Sequence, residues 1–231
     1  MNEQLAMLAR AADDAGNYDE AYAYWTRVLE ADPDNPDAWL GKALAAGWQS
    51  KLGRLRFAET VQGCDKALRL SSPDQHEAMA ERAKDEIKSM VLGYYKMAVE
   101  HFEEFRTVSG TRDEHIERCT ALYGLLQAAE RYVPNDPMVT RISISVIESA
   151  TSMHDENGKL RAWVTSPEAR ALWDARAGLI AKMQKLDLSY KPTVFNTSSG
   201  EAGCVLWTLV FLAAIAALIY GVIWLFHAAK G

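Results

Sequence analysis

Apolar residues recur at helical spacing along most of the chain. Between residues 3 and 15 they fall at Leu5, Leu8, Ala9 and Ala12, and after a break at Gly16-Asn17 they resume at Ala21, Trp25, Val28 and Leu29. Side chains three and four apart share one face of a helix, so each run buries a stripe and leaves the rest to water. Pro33 and Pro36 end the second helix and start a third, because proline fits the first turn of a helix but not its interior. Asp74 to Thr107 contains no proline and a single glycine, Gly93, while the apolar stripe runs from Met79 to Val108. That predicts one long helix, or two joined near Gly93. Residues 112–132 predict another. Over 138–164 two readings stand. Ile142, Ile144 and Val146 alternate as in a strand, and Asn157-Gly158 could turn it back onto Leu160 to Val164. Pro137 and the Ile142/Val146/Ile147 spacing suit a helix instead, which is the reading we favour. Ser166-Pro167-Glu168 opens a last helix through Leu188. The pattern gives eight or nine helices, largely antiparallel neighbours, in an all-α fold.

A second kind of segment closes the chain. Cys204 to Phe226 is 23 residues without a charge, a proline or an amide side chain. As a helix it reaches roughly 34 Å, enough to cross a hydrocarbon layer of ~30 Å. Trp207 and Trp224 lie near its ends, where amphipathic rings favour the headgroup region. Glu3, Arg10, Asp13 and Asp14 interrupt any apolar stretch at the N-terminus, so no secretory signal is expected there. The expected organisation is a helical domain over 1–188, a flexible Pro/Gly/Ser/Thr linker over 189–203, a transmembrane helix over 204–226 and a short tail over 227–231. The helical domain would then lie in the cytosol. Ala213, Ala217 and Gly221 recur every four residues and so stack along one face, a packing face through which two copies could associate.

The first two helices carry a family likeness. Leu5-x2-Leu8-Ala9-x2-Ala12, then Ala21-x3-Trp25, then Pro33 resembles the tetratricopeptide repeat (TPR), whose sparse pattern is W-x2-L-G-x2-Y, A-x3-F and P over about 34 residues. Trp39 falls 34 residues after Leu5, where the next repeat's first large residue belongs. The second unit departs from the pattern. Pro33 to Pro73 spans 40 residues, and an insertion near Gln49 to Gly53 would absorb the excess. Pro134-Asn135-Asp136-Pro137 echoes Pro33-Asp34-Asn35-Pro36 at a distance of 101 residues, close to three periods. The resemblance implies a TPR-like helix–turn–helix solenoid with a groove for a peptide or partner helix. Its groove positions carry over to Ala6, Arg10 and Asp13 from the first unit and to Leu40, Leu44 and Gly47 from the second. Trp25, Trp39 and Tyr22 read as packing residues, and Trp48, near the insertion, as an exposed anchor.

Charge and reactive residues narrow the function. The net charge is -6, with all 31 acidic residues at or before Glu201, which leaves no basic stripe for nucleic acid. Cys64, Cys119 and Cys204 form no CxxC. His115 and Cys119 are four apart, the spacing of two metal ligands, but no third or fourth ligand follows. A Cys beside a surface His is the plainer reading. Asp85-Glu86 and Glu103-Glu104 read as solvated faces. No phosphate loop or nucleophile elbow appears, so neither an enzyme nor a cofactor is expected. Two functions remain: a membrane-anchored adaptor that recruits a protein or peptide partner, or an effector that oligomerises and perturbs the bilayer. The span holds no ionisable residue to line a pore, which favours the adaptor.

Overall fold

In the computed structural model, which describes residues 2–154 and 159–195, several helix boundaries have a local cause. The helices are α1 (Asn2–Asp14), α2 (Tyr18–Ala31), α3 (Pro36–Trp48), α4 (Phe57–Leu70), α5 (Pro73–Phe105), α6 (Thr111–Tyr132), α7 (Pro137–Thr151) and α8 (Pro167–Leu186). Four of them open on proline, preceded by a residue that can cap. The Asn35 side chain accepts from the Ala38 amide at 3.0 Å, and Ser166 Oγ accepts from the Ala169 amide at 3.1 Å. Asp136 Oδ1 takes the Met138 and Val139 amides at 2.7 and 3.1 Å, and Ser72 pairs with Gln75 in a capping box. Gly16, at φ 71°, makes the left-handed turn after α1; the Asn17 amide reaches back to the Ala12 carbonyl at 2.8 Å.

The helices pack as successive antiparallel pairs, α1 with α2, α3 with α4, α5 with α6 and α7 with α8. First helices also neighbour first helices (α1–α3, α3–α5, α5–α7), and second helices neighbour second helices (α4–α6, α6–α8). That is the contact order of stacked helix–turn–helix units. Two apolar clusters hold the stack. One joins α1, α2 and α3 through Ala9, Ala21, Trp25, Val28 and Ala38. The other runs from Leu40 through Ile87, Leu122 and Ile147 to Leu172. Trp25 is 2% exposed, and truncating a side chain of that size costs about 3–5 kcal/mol.

Open readings close here, and the helix expected over residues 138–151 is the one found. Residues 73–105 form one helix, unbroken at Gly93. Residues 138–151 are helical, so Ile142, Ile144 and Val146 are not a strand. All three are buried, as are Val139, Ile147 and Ala150, because α7 is enclosed on most sides by α5, α6 and α8. A helix buried over so wide a face shows no clean stripe, and its pattern can be mistaken for alternation. A hairpin does exist, but later and shorter: β1 (Ser152–His154) pairs antiparallel with β2 (Leu160–Ala162), Met153 opposite Arg161. It belongs to a unit distinct from the helices. The last helix ends at Leu186, and the chain stays tied a little further. Arg141 meets Asp187 at 3.1 Å and lies over the Tyr190 ring at 5.5 Å. The span 204–226, with Ala213, Ala217 and Gly221, lies outside the described residues, as does most of the linker. Among the described residues no helix is long and apolar enough to cross a membrane.

Candidate functional site

The groove positions carried over from the repeat divide sharply. Ala6 is half-buried and Arg10 exposed on α1, where Arg10 meets Asp37 of α3 at 3.4 Å. Asp13 is half-buried and accepts the Trp25 indole N–H at 2.8 Å. Burial raises its carboxyl above the ordinary value, more than the Trp25 bond and the nearby Arg82 lower it. Leu40 and Leu44 are 1% and 5% exposed and belong to the core, so they offer a partner nothing. The shifted pattern of the second unit rotates them inward. Gly47 is also enclosed: a Cβ there would lie 2.6 Å from Met90 Sδ and 2.8 Å from Thr60 Oγ1. Trp48 is half-buried rather than an exposed anchor. It stacks on Tyr18 with ring centroids 5.5 Å apart and donates to Glu86 Oε2 at 3.1 Å. The Asp85-Glu86 pair is thus only half a solvated face. Trp25 is a core residue as anticipated, whereas Tyr22 and Trp39 are half-buried.

The residues that exceed the repeat period form a built loop. Gln49 to Arg56 joins α3 to α4, and its tip is a tight turn in which the Lys51 and Arg54 amides and carbonyls exchange bonds of 3.0 and 2.8 Å. Ser50 Oγ accepts the Arg56 amide at 2.8 Å, and Gln49 Nε2 donates to the Tyr18 carbonyl at 2.9 Å. From α5 the Tyr94 hydroxyl donates to the Trp48 carbonyl at 3.1 Å and also contacts the Ser50 carbonyl. From α6 Arg118 Nε reaches the Leu52 carbonyl at 3.4 Å. The loop therefore fastens the second helix pair to both its neighbours.

Between this loop and the α1–α2 turn lies a cleft of about 550 Å³, lined by residues 16–19 and by Trp48 to Lys51, Arg54 and Arg56. Its walls are the Tyr18–Trp48 stack and three basic side chains, against one acid, Asp19. Arg56 is engaged: its guanidinium meets Glu59 at 2.6 Å and covers the Tyr22 ring at 4.4 Å. Glu59 also accepts the Tyr22 hydroxyl at 2.7 Å. Burial would raise the Glu59 carboxyl, but the Tyr22 and Arg56 bonds outweigh it and hold the group below its usual range. Lys51 and Arg54 are exposed and form no side-chain ion pair or hydrogen bond among the described residues. The insertion was legible in the sequence, but the K-x-x-R-x-R run inside it was the overlooked signal.

A polar cluster of a different kind sits between α5, α6 and α7. His115 is fully buried, not on the surface, stacked on Phe102 at 4.6 Å and bonded through Nε2 to Ser149 Oγ at 2.9 Å. Burial, aided by Arg112, pushes its pKa down to about 4, and burial pushes the Cys119 thiol up to about 12. At neutral pH both groups are uncharged, and neither is placed to work as nucleophile or base. Among the described residues no three His, Cys, Asp or Glu side chains could hold a metal ion.

Compared with known proteins, the chain matches the Tetratricopeptide repeat family over residues 2–45, which covers α1, α2 and most of α3. No curated protein matches it. The repeat match and the stacked helix pairs together make this a TPR-like helical-repeat protein. Such repeats serve protein–protein interaction, and nothing in the geometry indicates catalysis.

Proposed function

We propose that this TPR-like protein is an adaptor that recruits a protein or peptide partner while its C-terminal segment holds it at a membrane. The observation that supports the reading best is the stack itself. Four helix pairs are built around apolar clusters, their reactive groups are neutralised by burial, and α1 leaves Arg10 exposed beside a half-buried Ala6 on a repeat whose family binds proteins. The membrane part rests on sequence: 23 uncharged residues are far too apolar to leave in water. On this reading the helical domain faces the cytosol.

The test is isolation of the tagged full chain from its own cells in a mild detergent, beside an Arg10→Glu variant. The expected result is a defined co-purifying protein, retained by the wild type and weakened by Arg10→Glu. Recovery of the chain from the soluble fraction, or without any stoichiometric partner, would contradict the reading.

A further inference from the structure

The cleft at the α3–α4 loop is not part of the surface that first helices present to a partner. It lies at the edge where each pair turns from its first to its second helix, since its lining comes from the α1–α2 turn and the α3–α4 loop. We propose that this cleft binds an acidic peptide segment, with Lys51 and Arg54 holding carboxylates beside the Tyr18–Trp48 wall. The proposal rests on the adaptor reading and gives the partner its chemistry.

Charge complementarity carries it. In a chain of net charge -6, the lining holds three cations and one anion. Arg56 is spent on Glu59, whereas Lys51 and Arg54 have no internal counter-ion among the described residues. Glu86 and Asp13 lie outside the lining but act on Tyr18, and Glu86 accepts the Trp48 indole N–H at 3.1 Å, so they offset part of this excess; screening over about 8 Å at physiological salt weakens the more distant acidic faces. The loop is also fixed before any ligand arrives. Its backbone is held by the Lys51–Arg54 turn, by Tyr94 at Trp48 and by Arg118 at Leu52, so little ordering remains to oppose binding. The volume lies in the usual range for a ligand site, roughly 300–1,000 Å³.

A lipid surface fits less well. None of the exposed large apolar side chains, such as Met7, Leu92 or Met138, lines the cleft. Two free cations would add only about 1 kcal/mol each at an anionic bilayer, too little for stable attachment.

The experiment is fluorescence anisotropy of a labelled tetraglutamate peptide with the purified full chain in non-ionic detergent. The wild type should bind saturably, and more weakly as salt rises. Lys51→Glu with Arg54→Glu should weaken binding about tenfold or more. Arg69→Glu with Lys96→Glu makes the same charge change on exposed parts of α4 and α5 and should leave affinity within about twofold. No saturable binding by the wild type, unchanged affinity in the loop double variant, or equal loss in both doubles overturns the proposal. So does tighter, Lys51/Arg54-dependent binding of glycerophosphoserine, which would make the ligand a lipid headgroup. If the loop double variant loses the peptide yet still isolates the cellular partner in full, the cleft is not where that partner docks. The cleft proposal then fails while the adaptor reading stands.

Discussion

The first four helices and the last four spend glycine differently. In α3 and α4 each helical glycine is a seat already taken. A Cβ on Gly41 would fall inside the Trp25 indole, and one on Gly63 would lie 2.6 Å from the Ala43 Cβ. In α5, α6 and α8 the glycines Gly93, Gly124 and Gly178 face open space, with no atom beyond their own helix backbone and chain neighbours within 4 Å of where a Cβ would stand. The front half closes its crossings with Gly and Ala, around Trp25. The back half closes its own with Ile87, Leu122, Leu125, Leu126, Ile144 and Ile147. Helices that approach through small residues are held to narrow positions, whereas larger side chains can interlock at many angles. The front should therefore be intolerant of enlargement and the back intolerant of truncation.

The largest effect should come from truncation in the back half. Ile147→Ala empties a fully buried site between α6, α7 and α8 and should lower stability by about 2–5 kcal/mol, read from denaturant unfolding of the detergent-solubilised chain. A loss under ~1 kcal/mol would mean that the back core is loosely packed.

Next comes acid. His115 has a folded pKa near 4 against an ordinary value of 6.5, so the unfolded chain binds the proton first as pH falls. Stability is then full above about pH 6.5 and declines toward pH 4, by up to about 3 kcal/mol. Melting temperatures between pH 7 and pH 5 should show the decline, and His115→Gln should remove most of it. A wild-type curve flat over that range would mean that the imidazole is not enclosed.

Gly41→Ala and Gly63→Ala probe the front. The obstructing atoms are a rigid indole and a neighbouring helix's Ala43, neither of which can swing aside, so each should cost about 1–3 kcal/mol. Gly47→Ala meets the flexible end of Met90 but also the buried Thr60 hydroxyl, so it should cost about as much. The smallest effect has the opposite sign. Gly124→Ala adds a methyl to open space and removes the entropy of a mid-helix glycine, so it should stabilise by about 0.5–1 kcal/mol. Equal responses at Gly41 and Gly124 would erase the contrast between the halves.

The same contrast explains what could be read from sequence. A crossing in which the Trp25 indole fills the space over Gly41 stamps fixed spacings on the chain, so the repeat was visible over the residues that the family match covers. The starts of α3, α7 and α8 were visible, because Pro36, Pro137 and Pro167 follow residues able to cap, whereas α4 opens at Phe57 with no such signal. The extent of α5 was left open between one helix and two, and α7 was read as a helix with a strand as the alternative. Both depend on how many sides neighbours cover, which no local pattern records. Leu40 and Leu44 were misplaced because the second unit is shifted against the family register. The burial of His115 depends on Phe102 and on Ser149, 34 residues away. The cleft needed two loops, from residues 16–19 and 48–56, to be seen together.

The central claim is that the chain works at a membrane by holding a protein partner on its helical repeats. Cross-linking mass spectrometry on alkaline-carbonate-washed membranes tests both halves at once. The account predicts that the full chain resists the wash and that lysines within residues 42–191 cross-link to one other protein in reproducible pairs. Release of the chain by carbonate, or cross-links that join it only to further copies of itself, would contradict it.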